Sequence, residues 1–558
     1  MRAVPSAGAG RSLRLLGAVL TLSVLVGTSQ LPVYAFGLRV GLELGFGGSF
    51  LLLLIHRARQ GGISRSPLDL PLAVTLLVWM LSALLGENPV LGRPWLFVTA
   101  ALIVGFYLAL STAGLDERTV WLEAHLLLTG VLAAVSLLTL ADWYIGLGLF
   151  TDGPGWFVTQ GFRLPPQLLR ATPGHLIWPT QFGAYLAFAF TLALGQFLAA
   201  GKRVWLPYLG LIGLALLLTF TRAAWIGQIV ATGILLTARF SDRGAHQLGR
   251  RHVWRLVPAL IVGVAVVVVG LTGTWSRWTN DSLRVELYGI AVRAFADHPG
   301  VGGGPGTFGL LLMRYRLPPG PAIVTNHAHN YYLNLLAETG IVGVAGVAVL
   351  FGTIGWLGAR VWRGAPSGAE RVRLLAPGAA LAGLATHVLF YSPGRMPGLL
   401  VPGVIALALL VRASGVRLER SRRLCATLLV AWLVVSLVTA WGEVGAYLDG
   451  RATREAGRGN WAEAAVRWER AASIDPTFDL YEQRRALALG HLAGESGQPD
   501  DWRAAMAALE RGLEHERHHG LNLARLGVLD AELGDSVRAA ANLRRAMELE
   551  PRDYRFAV

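Results

Sequence analysis

An all-helical, polytopic membrane protein with a short soluble helical-repeat domain at its C-terminus is the fold the sequence predicts. Three observations predict it. Of 558 residues, 53% are hydrophobic and only 15% are charged, against about 25% charged in an ordinary soluble domain. The apolar residues lie in long runs, and 256–274 (LVPALIVGVAVVVVGLTGT) is long enough to cross about 30 Å of hydrocarbon. From about residue 450 these runs stop, and Ala, Glu and Arg dominate with apolar residues at helical spacing.

Candidate spans fall at about 13–36, 38–55, 68–86, 94–114, 120–141, 175–199, 204–220, 223–238, 256–274, 340–358, 374–391, 397–411 and 424–442, about thirteen helices in all. The run after Arg11 and Arg14 continues into a second apolar stretch, so it reads as a first membrane helix and not as a cleaved signal. A net charge of +15 invites a nucleic-acid reading. The basic residues, however, sit in short loops: Arg57, Arg59 and Arg65; Lys202 and Arg203; Arg239, Arg243, Arg250, Arg251 and Arg255; Arg360, Arg363, Arg371 and Arg373; Arg412, Arg417, Arg420, Arg422 and Arg423. With that count of spans, all these loops share one side, the positive-inside pattern, and nucleic acid is not the partner. The pattern puts the N-terminus in the cytoplasm and the C-terminus outside. Two long outer loops follow, about 142–174 and about 275–339. The second carries Arg277, Arg284, Arg293, Arg314 and Arg316 against the trend. Arginines kept on that side suit the binding of an anion. Cys425, the single cysteine, excludes an intramolecular disulfide and reads as a packing residue.

The membrane domain is expected over 1–445 and the repeat domain over 446–558. Ala464, Trp468, Ala471 and Pro476 fall at offsets 0, 4, 7 and 12, and Ala539, Leu543, Ala546 and Pro551 repeat them. Leu526 and Gly527 precede the second set. This pattern resembles the tetratricopeptide repeat, in which small residues let paired helices approach. The two prolines are 75 residues apart, which leaves room for a degenerate middle unit at about 485–517. A plain helical hairpin is the alternative. Such arrays bind protein partners.

Signatures of soluble enzymes are missing. Gly302-Gly303-Gly304-Pro305-Gly306 lacks the lysine and preceding strand of a P-loop and reads as a tight turn. Three elements stand out instead. Thr221-Arg222-Ala223-Ala224-Trp225 is wedged between two apolar spans, where an arginine is costly unless it serves at the boundary. Arg222 is therefore either a snorkelling helix-end residue or an anion ligand. Asp281–Tyr288 is followed by Asp297-His298-Pro299-Gly300-Val301-Gly302-Gly303-Gly304. Within it Arg284 can pair with Asp281 or Tyr288, or meet an anion. The third element, Asn326-His327-Ala328-His329-Asn330-Tyr331-Tyr332-Leu333-Asn334-Leu335-Leu336-Ala337-Glu338-Thr339-Gly340, heads the span at 340–358. His327 and His329 lack a third ligand at metal-site spacing. A histidine here is a helix cap, a core residue, or a general base for a hydroxyl.

Taken in this order, the three elements resemble the O-antigen ligase and polymerase superfamily of bacterial polysaccharide assembly. Its pattern of His-Asn, then Leu, then Glu-x-Gly at the head of a membrane helix is matched by His329, Asn330, Leu333, Glu338 and Gly340. A looser likeness lies at Arg163–Tyr185, where Gln181 is a possible cavity residue along with Tyr288. The resemblance covers about 10–440, and the repeats resemble appendages that relatives carry.

The resemblance implies a GT-C-like helical glycosyltransferase in the bacterial cytoplasmic (inner) membrane. It implies transfer of a glycan from an undecaprenyl-diphosphate carrier, at the outer face, to a hydroxyl of a lipid, a glycan or a protein. No cofactor, metal or nucleotide sugar is implied. His329 is the expected catalytic base, and Arg222 and Arg284 are the expected diphosphate ligands. His327, Asn330, Arg395 and Arg163 are accessory candidates. Three other readings stay open: a protein O-oligosaccharyltransferase whose repeats present the acceptor, a polysaccharide-lipid transporter, and a non-catalytic assembly scaffold. The transporter would need ionisable residues in mid-span; here the charges gather at the boundaries.

Overall fold

The computed structural model describes residues 36–112, 115–145, 179–241, 281–315, 325–391, 397–476, 478–513 and 520–549. Its helices are α1 (Phe36–Arg59), α2 (Asp69–Leu85), α3 (Arg93–Thr112), α4 (Leu115–Ile145), α5 (Pro179–Ala200), α6 (Trp205–Leu218), α7 (Arg222–Phe240), α8 (Asp281–Asp297), α9 (Phe308–Tyr315), α10 (Tyr331–Gly364), α11 (Gly368–His387), α12 (Pro397–Ala413) and α13 (Arg422–Gly457). Five more follow: α14 (Trp461–Ile474), α15 (Leu480–Ser496), α16 (Pro499–Arg511), α17 (Gly520–Glu532) and α18 (Ser536–Leu549). Two two-residue strands, β1 (Ile63–Ser64) and β2 (Arg420–Ser421), pair antiparallel with Ile63 opposite Ser421.

Six helices are long and apolar enough to cross a membrane among the described residues: α3, α4, α5, α7, α10 and α13. The apolar helices α2 and α6 and the stretch Leu400–Ala413 of α12 are shorter. These nine take up the corresponding spans read from the sequence. The expected spans 13–36 and 256–274 lie outside the described residues. Those at 38–55 and 374–391 fall on α1 and α11. Glu370, Arg371, Arg373 and Pro377 interrupt α11, which is not among the six.

The contacts divide the chain into two units. The first comprises Met1–Leu72, Ala101–Thr279 and Ala348–Trp432. Its core joins α4, α5, α6 and α7 around Phe182, Tyr185, Leu186, Ile212 and Trp225. Backbones approach where side chains are smallest: a Cβ on Gly227 of α7 would lie 2.4 Å from the Gly383 oxygen of α11. Small residues serve this purpose in lipid, where packing and not water exclusion holds helices together. The basic loops also meet in this unit. Arg65 N donates to Glu419 O at 2.8 Å, Arg412 Nε to Leu110 O at 2.9 Å, and Arg371 Nη1 to Ser241 Oγ at 2.6 Å.

The second unit comprises Ala73–Ala100, Asn280–Val347 and Leu433–Val558. Here the turn after α2 meets the glycine turn before α9: Glu87 N donates to Gly303 O at 2.8 Å, and Ser82 Oγ to Val301 O at 2.6 Å. In the C-terminal part each helix packs on the next. Ala464 and Trp468 of α14 are buried with Ala488 of α15, and a Cβ on Gly527 of α17 would lie 2.7 Å from Leu543 Cγ of α18. The boundary expected at 445/446 falls inside the unbroken helix α13. The start of α3 is tied to this part by Arg93, whose guanidinium donates two hydrogen bonds to Asp475, at 2.5 and 2.9 Å. Pro476 follows that aspartate directly.

The Asp475 side chain is 3% exposed, so removing its guanidinium leaves a poorly solvated carboxylate. Arg93→Ala should destabilise the second unit by about 3 kcal/mol, seen as faster limited proteolysis within 446–549. Arg93→Ala combined with Asp475→Ala should recover part of that loss. Equal cleavage rates in wild type and Arg93→Ala would show that the pair contributes nothing.

Candidate active site

The His-Ala-His-Asn turn is pinned from both ends. Asn330 Oδ1 accepts from the Tyr332 and Leu333 amides at 3.0 and 3.1 Å, which caps the first turn of α10. Asn334 Oδ1, one turn further in, accepts from the Ala328 amide at 3.0 Å. Between these anchors His329 takes a left-handed conformation, φ 53°. Few non-glycine residues adopt it, and it persists where neighbouring structure enforces it. The His327 ring centroid lies 4.2 Å from that of His329, and His327 Nδ1 is 2.9 Å from Asn326 Oδ1.

Glu338 and Gly340 explain why the rest of the motif has its spacing. Gly340, with φ 62° and ψ −162°, breaks the helical path inside α10. The glycine turn 299–304 lies in the kink. Ile341 N donates to Pro299 O at 2.9 Å, Gly303 N to Ala337 O at 3.0 Å, and Gly304 N to Glu338 O at 2.9 Å. The Glu338 side chain, 4% exposed, accepts from the Phe308 amide at 3.1 Å and so holds the start of α9. Leu333 packs against the core formed by Leu287, Ile290, Phe308 and Ala328. Asn330, Leu333, Glu338 and Gly340 therefore shape the turn, and His329 is the motif residue left without a scaffold task.

Arg284, on α8, faces this histidine electrostatically. Burial, and after it the Arg284 charge, push the His329 imidazole below its ordinary pKa. Both effects disfavour the imidazolium, so the ring is a neutral base at neutral pH. Among the described residues Arg284 has no hydrogen-bond or ion-pair partner, and the pairing with Tyr288 allowed by the sequence does not form. The Asp281 side chain is outside the described set. Other cations of the segment are engaged: Arg293 Nε donates to Tyr315 O at 3.0 Å, and Arg314 Nη1 to Glu87 Oε1 at 2.5 Å. Glu87 also lies 3.1 Å from His298 Nε2. The sequence did not single out Glu87; its only signal was an acid in a turn otherwise apolar. Among the described residues no group of three His, Cys, Asp or Glu is placed to hold a metal ion.

Arg222 belongs to the first unit. It is the first residue of α7, half-buried, after an abrupt turn in which Phe220 has φ 48°. Trp225 Nε1 donates to Leu216 O at 3.1 Å and holds that turn against α6. Gly183 of α5 lies beneath it; a Cβ there would lie 3.0 Å from both Thr219 Oγ1 and Thr221 Cβ. Gln181 Nε2 donates to the Tyr391 hydroxyl at 2.5 Å. Arg284, His327, His329 and Asn330 thus come together within the second unit. Arg163 and Arg395 lie outside the described residues.

Residues 207–348 match the family model described as O-Antigen ligase. The match spans all three motif elements, and its description is that of the family those elements resemble. Arg222, Arg284, His327, His329 and Asn330 fall within it; Arg163, Arg395 and the C-terminal helices do not. No curated protein matches the chain.

Arg284→Gln should raise the His329 pKa back toward its ordinary 6.5, because a repelling charge is lost. The check is the pH midpoint of diethyl pyrocarbonate modification at His329, followed by mass spectrometry. The midpoint should move upward in the variant; an unmoved midpoint would mean that Arg284 does not act on the ring.

Proposed function

We propose that the chain transfers a glycan from an undecaprenyl-diphosphate carrier to an acceptor hydroxyl at the outer face of the bacterial inner membrane. An O-antigen ligase domain in a multi-pass helical protein supports glycan transfer in polysaccharide assembly. The observation that carries the finer one is His329. It is an imidazole that burial and the Arg284 charge push below its ordinary pKa, in an enforced left-handed turn beside a guanidinium without a hydrogen-bond or ion-pair partner among the described residues.

A lone pair of the acceptor oxygen forms the bond to the anomeric carbon. The bond from that carbon to the diphosphate oxygen breaks, and its electron pair leaves on undecaprenyl diphosphate. The hydroxyl proton passes to His329. Negative charge grows on the leaving diphosphate, and a guanidinium fork at Arg284 stabilises it. The family motif adds Arg222 as a second diphosphate ligand. With arginines in that role, the transfer proceeds without a metal.

The charge pattern supports a cytoplasmic N-terminus and an outer C-terminal region. Helices α14 to α18 share a unit with His329, and this favours a tetratricopeptide-like array that recruits or presents the acceptor. A protein acceptor is the variant of the reading that this sharing favours.

Purified protein in detergent, given undecaprenyl-diphosphate glycans and a chelator, should release undecaprenyl diphosphate. His329→Ala should lower the rate by about 10² to 10⁴. Arg284→Ala and Arg222→Ala should each lower it by about 10² or more. All three variants should still insert in the membrane. Undiminished transfer in all three would refute the mechanism.

A further inference from the structure

The turn that presents Arg222 is braced by a residue the mechanism does not use. His387, the last residue of α11, is 1% exposed. One turn before it, Gly383 meets Gly227 of α7 backbone to backbone. The Ala223 backbone lies against the imidazole. Even so, neither ring nitrogen reaches hydrogen-bond geometry with a protein atom among the described residues. A neutral imidazole carries one N–H and one lone pair, and leaving both unsatisfied in a buried site is costly. The ring borders a small cavity between α5, α7 and α11, whose other polar walls are Thr191 and Gln228. The cavity has room for a single water. Gln228 is held in place there: its Oε1 accepts from Thr191 at 3.2 Å and its Nε2 donates to Thr232 at 2.9 Å. The Tyr391 ring centroid lies 5.9 Å from that of His387.

We propose that His387 is a positioning residue for Arg222. With one water in this cavity, its imidazole holds the Ala223 carbonyl and fixes the first turn of α7, on which Arg222 is the leading residue. The inference rests on reading Arg222 as a diphosphate ligand.

The test is binding of farnesyl diphosphate to the purified full-length chain in detergent, with thermal unfolding followed in parallel. His387→Leu should weaken binding by about tenfold, and His387→Gln, which keeps a donor and an acceptor, should stay within about twofold of wild type. Gln228→Leu, which closes the cavity from the opposite wall, should weaken binding as His387→Leu does. Arg222→Ala should weaken binding at least as much, and adding His387→Leu to it should change nothing further, because the two act as one unit. Three outcomes overturn the inference alone: unchanged binding in both leucine variants, a glutamine variant as weak as the leucine one, or losses that multiply in the double variant. Arg222→Ala binding like wild type would overturn the diphosphate reading, and this inference with it.

Discussion

Gly340 has no room for a side chain. A Cβ there would lie 2.3 Å from the Gly300 oxygen, and one on Gly302 would lie 2.3 Å from the Glu338 carbonyl carbon. Both residues also need positive φ, which glycine adopts without penalty. This contact between the glycine turn and the kink in α10 sets everything above it. The kink aims the first three turns of α10, and Asn330 and Asn334 on those turns hold His329 in its left-handed conformation. Glu338, from the same turn, starts α9 and so closes the core that Ala328 enters. The histidine's geometry is thus fixed by backbone hydrogen bonds well away from its ring.

The electrostatics follow from that frame. Five arginines lie in the segment 275–339, and the structure separates those it describes by their occupation. Arg293 is bound to a backbone carbonyl and Arg314 to Glu87. Arg284 keeps its donors, and its charge helps to keep His329 neutral. A diphosphate bound at Arg284 would offset that repulsion as it arrives. The histidine would then accept a proton more readily with donor present than without it. This ordering follows from Coulomb interaction alone.

Much of this was legible in the sequence, and the parts that were not have physical reasons. Long apolar runs report helices in lipid directly, which is why α3, α4, α5, α7, α10 and α13 were found at their places. Loop charge grouped the loops because a bilayer separates them. Hydropathy cannot decide whether a helix such as α11, with Pro377 and a charged first turn, crosses the membrane. The motif spacing pointed to His329, but not to the division of labour inside it. Glu338 is as ionisable as His329, and only the fold shows its carboxylate capping α9. Glu87 lies more than two hundred residues from its partners Arg314 and His298, and no local pattern encodes such a pair. A histidine in an apolar run, as His387 is, reads as packing. Only the three helices around it show the small cavity that it borders.

The central claim is that His329 accepts the acceptor proton. It is tested most directly by the pH dependence of undecaprenyl diphosphate release in wild type and His329→Gln at saturating donor. The account predicts that wild type loses activity on an acid limb, and that the residual activity of His329→Gln shows no such limb. The same acid limb in both proteins would contradict the claim and place the base elsewhere.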